Sequence, residues 1–99
     1  MTAPTIAERV AAGAALLDER EPGWAERLDL DRLDIMSSCD CVVGQRHGGY
    51  GAGLTALGLV EESSARDVEL GFHWGARFED IDPLNAAWRA LITERRAAA

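Results

Sequence analysis

The sequence predicts an all-α domain, a compact bundle of four to five short helices. Three observations carry that prediction. Ile6, Val10, Ala14 and Leu17 recur at i, i+4, i+8 and i+11 behind a capping pattern at Thr5 and Glu8. The segments "AGLTALGL" and "ARDVELGF" each close on Leu-Gly-apolar, the pattern of a helix stopped by a left-handed glycine with the next apolar side chain folded back. Finally, "DPLNAAWRALI" places Leu84, Ala87, Trp88, Leu91 and Ile92 on one stripe.

Taken in order, the first helix starts after Pro4, with Thr5 as its cap, and ends near "DEREPG", where Pro22 cannot continue the ladder. "WAERLDLDRLDIM" reads as a short helix followed by a loop. "SSCDCVVGQ" offers Ser37 or Ser38 as an N-cap for a short helix carrying Cys41, Val42 and Gln45, broken by the glycines from Gly48 to Gly53. "VELGFHW" has a rival strand reading, because Val68, Leu70, Phe72 and Trp74 alternate with Glu69, Gly71 and His73. The capping serines Ser63 and Ser64, together with Gly71, favour a helix. The last helix takes Asp82 as cap and Pro83 at its first position, with Arg95 and Arg96 at the end where cations suit the helix dipole. No linker or repeat is visible, so residues 1–99 read as a single domain whose ends, 1–4 and 97–99, fray. The expected core is Ile6, Val10, Leu17, Trp24, Leu28, Leu33, Cys41, Val42, Leu54, Leu57, Leu59, Leu70, Phe72, Trp88, Leu91 and Ile92. The three tryptophans Trp24, Trp74 and Trp88 are expected to contribute most area.

Composition narrows the function. The 99 residues carry a net charge of −7, which disfavours binding to a phosphate backbone or an anionic membrane and suits a basic partner. All ten basic residues are arginine, so Schiff-base chemistry and a P-loop lysine are excluded. "MTAPTIAERV" shows no secretory leader, no apolar run approaches the ~20 residues of a membrane span, and the two cysteines are one residue apart. A cytoplasmic protein with unbridged thiols is expected.

The stretch "SSCDCVVGQRHGGYGAG" concentrates the chemistry. Cys39, Cys41, His47 and His73 supply four potential zinc ligands, the number a tetrahedral site needs. Against this, i and i+2 side chains on a helix point about 200° apart, and usual sites space their cysteines more widely. No cofactor is therefore expected, with zinc as the alternative. "GGYGAG" lacks the strand and the register of a dinucleotide loop and reads better as a tight turn. A nucleophile at Cys39, Cys41, Ser37 or Ser38 with His47 lacks a nameable third partner, so no catalytic residue is assigned and a non-enzyme is expected.

Acidic residues fall in two stretches, 18–34 and 61–82, interleaved with arginines, and read as a salt-bridged surface. A helix-turn-helix reading of "LTALGLVEESSARDVELG" would aim Glu61, Glu62, Asp67 and Glu69 at phosphates and fails on charge.

From "AAGAALLDEREPGWAERLDLDRLDI" through "CDCVVGQRHGGYGAGLTALGL" to "ELGF" and "AAWRALI", the chain resembles a group of small proteins recurring in actinobacterial and actinobacteriophage genomes. The resemblance implies a compact intracellular domain and supplies no activity. The expected function is a non-enzymatic, acidic protein-interaction module, in keeping with a phage-encoded host-interaction factor. Its partner-binding residues would be Trp74, Glu61, Glu62 and Asp80, and it would bind a protein rather than nucleic acid or membrane. A zinc-stabilised domain and an acidic nucleic-acid mimic are the alternatives, and a homodimer is compatible with each.

Overall fold

Helix α1 spans Ile6–Arg20, and its start follows directly from local chemistry. Thr5 Oγ1 accepts the Glu8 N–H at 3.1 Å while the Glu8 carboxylate accepts the Thr5 N–H at 2.8 Å. These bonds hold the Glu8 carboxyl below its usual range. The computed structural model describes residues 3–59 and 66–98. After α1 come α2 (Trp24–Arg27), α3 (Tyr50–Ala56), α4 (Arg66–Glu69), a 3-10 turn (Phe78–Asp80) and α5 (Ile81–Ala98). Among the described residues there is no strand, so the all-α reading holds. No described helix is long and apolar enough to cross a membrane.

Both Leu-Gly-apolar stops form as expected. Leu59 N–H reaches the Leu54 carbonyl at 2.9 Å and Gly58 N–H the Thr55 carbonyl at 3.0 Å. Phe72 N–H reaches Asp67 and Gly71 N–H reaches Val68 in the same way, at 3.0 and 3.1 Å. Gly58 and Gly71 sit at φ +76° and +72°, where any side chain would be strained. The second stop decides against the strand over Val68–Trp74. Its expected caps, Ser63 and Ser64, lie outside the described residues.

Two local readings need correction. Residues 37–49 form consecutive turns and not a helix, because their backbone bonds mix i→i−3 and i→i−4 spans, as at Gly44 and Gln45, which both donate to Cys41. Gln45, expected on that helix, instead clamps the loop, its amide pairing with Asp29 N–H and with the carbonyls of Asp29 and Asp40. Helix α5 begins at Ile81, two residues earlier than expected, so Asp82 lies inside its first turn. The preceding 3-10 turn runs straight into it, with Ile81 N–H on the Phe78 carbonyl.

One hydrophobic core unites the described elements, and Trp88 on α5 is fully buried in it. Phe72 stacks on Trp88 at 5.8 Å, and Trp24 meets it edge-on at 5.9 Å. Trp88 Nε1–H donates to the Gly71 carbonyl at 2.7 Å, which satisfies the indole's polar edge. Ile6, Leu54, Leu91 and Trp74 prove only partly buried, whereas Ile35, Val43 and Ile81 join the core unexpectedly, beside Leu84 of the α5 stripe.

Arginines do much of the fastening. Arg9 on α1 is buried and holds the Val68 and His73 carbonyls and Asp80. On α5, Arg89 donates to Leu30 and Leu33, and Arg96, two turns on, to Ala25 and Leu28. Asn85, one turn before Arg89, accepts the Ile35 N–H at 2.7 Å. A polar stripe on α5 thus satisfies the carbonyls of a loop that has no ladder of its own.

Candidate functional site

One concavity is an open cleft of about 270 Å³ lined by Ile35, Met36, Ser38, Cys41, Tyr50, Gly51, His73 and Trp74. Three separate segments build it. Asn85 anchors Ile35 by its N–H, and Asp34 Oδ1 accepts the Met36 N–H at 3.0 Å, fixing one wall. Ser38 Oγ accepts the Tyr50 N–H at 2.9 Å, so a residue twelve positions upstream caps α3 and joins floor to wall. The stop after α4 then delivers His73 and Trp74 to a third side.

Aromatic rings line that side in succession. Tyr50 and His73 lie 5.7 Å apart, His73 stacks on Trp74 at 4.0 Å and 14°, and Trp74 meets Phe78 at 6.4 Å. The run is held from behind: Arg9 takes the His73 carbonyl, and the Tyr50 hydroxyl donates to Asp67. Burial and the Asp67 carboxylate push the Tyr50 phenol well above its usual range. His73 Nδ1 accepts the Gly75 N–H at 2.9 Å, so the neutral ring carries its proton on Nε2. Met36 is 57% exposed and Phe78 69% exposed, the two large apolar side chains left open among the described residues. Met36 lines the cleft together with Trp74, and Phe78 lies beside Trp74.

The four suggested zinc ligands are not brought together. Cys39 is exposed and Cys41 buried; His47 Nε2 lies 2.6 Å from the Glu21 carboxylate; His73 packs on Trp74. Among the described residues no group of three or more His, Cys, Asp or Glu is placed to hold a metal. The reason is topological, since the turns at 37–49 face His47 towards the end of α1 while Cys41 points inward. Cys41 lines the same cleft as His73, yet burial pushes its thiol above the usual range, which is the wrong direction for a nucleophile.

The glycine-rich segment does not cradle an anion. Gly48 and Gly49 N–H both donate to the Gly44 carbonyl, and Tyr50 N–H is taken by Ser38. Inside α3, a Cβ on Gly53 would lie 2.1 Å from the Val43 carbonyl oxygen, so this glycine serves close backbone packing.

Of the suggested partner-binding residues, Trp74 stands at the cleft. Glu61 and Glu62 lie outside the described residues. Asp80 is no free docking acid, because Arg9 and Arg77 hold its carboxylate at 3.3 and 3.4 Å. Sequence reasoning passed over Met36, Tyr50 and Phe78. Their apolar character was visible, but the exposure of Met36 and Phe78 depends on which faces the fold leaves uncovered. Comparisons with protein-family models, curated proteins and solved structures find no match to this chain.

Proposed function

We propose that this protein is a non-enzymatic interaction module that binds a protein partner through the cleft and its Met36–Trp74–Phe78 rim. One observation carries the reading: of the two exposed large apolar side chains among the described residues, Met36 lines the same cleft as the partly buried Trp74 and Phe78 lies beside that ring. An aromatic anchor edged by apolar contacts is the arrangement in which interface energy concentrates. The cleft also offers no activated nucleophile, since its thiol is shifted towards the neutral form.

Site-specific photocrosslinking in native cells tests it. A benzophenone amino acid at Phe78 or Met36 should capture one and the same protein. The same probe at Glu19, on the exposed face of α1, should not. Capture that is equal from all three positions, or none from the rim, would remove the proposal.

A further inference from the structure

We infer that the cleft takes an arginine side chain from a basic, extended segment of the protein partner. The inference rests on the reading above that the cleft is a protein-binding face, and it goes further by naming the chemistry that is recognised.

The first support is where this chain's own arginines go. Arg20, Arg89 and Arg96 donate to backbone carbonyls, and Arg9 mainly so. Among the described residues Arg32, Arg46, Arg77 and Arg95 pair with carboxylates, as one nitrogen of Arg9 does with Asp80. The charge pattern in the sequence suggested mutual neutralisation, but the folded chain uses much of its cationic complement as hydrogen-bond donors. Among the described residues ten carboxylates, Asp34 and Asp67 among them, stand in no ion pair. The net charge of −7 therefore acts outward as a field that draws cations.

The second support is local. Two of those unpaired carboxylates adjoin the cleft, Asp34 through the Met36 N–H and Asp67 through the Tyr50 hydroxyl. Beside the cleft runs the ring series Tyr50, His73, Trp74 and Phe78. A planar guanidinium stacks on such faces and keeps its in-plane donors for carboxylates. An ammonium has the charge without the plane, and a purely aliphatic side chain has neither. Nucleic-acid bases would also stack, but their phosphates would meet the acidic field.

Hexa-arginine, hexa-lysine and hexa-citrulline peptides serve as probes, followed by the three indole N–H signals in a ¹⁵N spectrum of the whole chain. Hexa-arginine should move the Trp74 signal and leave the buried Trp24 and Trp88 signals in place. It should bind about three- to fivefold tighter than hexa-lysine, the scale of an exposed cation–π contact. Hexa-citrulline should bind at least tenfold more weakly. Phe78→Ala, at an exposed site that leaves the core intact, should abolish the arginine-over-lysine preference, and Trp74→Ala should do the same. Equal binding of arginine and lysine, or shifts scattered over the acidic surface without Trp74, would overturn the inference. If crosslinking from Phe78 still finds one partner while the arginine preference is absent, the arginine chemistry falls and the module stands. If both fail, both fall.

Discussion

Replacing Gly13 by alanine sets two effects of opposite sign against each other. Gly13 lies in the interior of α1, where alanine is favoured over glycine by about 1 kcal/mol of helix propensity. Against that, the added Cβ would sit 2.0 Å from the Leu70 carbonyl oxygen, 3.0 Å from Trp88 Cη2 and 3.1 Å from Phe72 Cε1. A carbon in contact with a carbonyl oxygen needs about 3.3 Å or more, so α1 and the turn after α4 must separate by over an ångström. The obstacle is backbone, next to the carbonyl that Trp88 bonds, and it cannot swing aside as a side-chain tip would. Overpacking of this kind costs about 1–3 kcal/mol, with about 1 kcal/mol more if the Trp88 bond is lost. With the Trp88 bond lost, these contributions leave a net loss of about 1–3 kcal/mol, a fall in Tm of roughly 5–20 °C for a domain of this size. Urea unfolding followed by tryptophan fluorescence measures it, with an unchanged slope showing that stability alone has moved. Gly51→Ala in α3 is the matched control, because its Cβ would meet nothing within 4 Å. That variant should gain about 0.5–1 kcal/mol. A Gly13→Ala protein as stable as the parent would refute the close approach of α1 to the Leu70–Phe72 turn.

The remaining expectations use the titrating groups. Iodoacetamide at neutral pH should label Cys39 quickly and leave Cys41 unmodified until the chain unfolds, and peptide mapping reads the two separately; rapid labelling of Cys41 would contradict its buried, upward-shifted thiol. Asp18 accepts from Arg95 at 2.7 Å and from Trp24 Nε1–H at 2.8 Å, which holds its carboxyl below the usual range, Arg95 foremost. Its contribution is therefore present above the unfolded value near 4 and lost as pH falls through the folded one. Asp18→Asn should cost under about 1 kcal/mol at pH 7, since the pair is half exposed and screened, and the difference should vanish at low pH. A penalty that grew on acidification would contradict the pairing. Tyr50 is the one tyrosine, so absorbance at 295 nm titrates the cleft directly. Its phenol is shifted upward, so its stabilisation is complete below pH ~10 and lost as pH rises further. Ionisation should coincide with alkaline unfolding, and Asp67→Asn should bring it lower; a free phenolate in the folded protein near pH 10 would show that the Tyr50–Asp67 contact is absent.

Helix ends were the most legible feature of this sequence, because their causes lie within a few residues. Thr5 and Glu8 cap each other over three positions, and Gly58 and Gly71 stop their helices by a backbone conformation that other residues resist. Apolar spacing likewise identified Val10, Leu17, Trp88 and Ile92 as core. Residues 37–49 were misread as a helix because the partners that hold them are distant in the chain. Gln45 reaches back to Asp29, His47 and Arg46 to Glu21, and Ser38 forward to Tyr50.

The cleft was illegible for the same reason. Its walls come from positions 35–41, 50–51 and 73–74, and nothing in their spacing says that they meet. Charge tells the same story from the other side: composition fixed the net value of −7, but only packing determined that several arginines would turn to carbonyls and leave carboxylates uncompensated. Local hydrogen bonding and periodicity are written in neighbouring residues. Which surfaces stay open, and which charges stay unmatched, is decided by contacts between residues tens of positions apart.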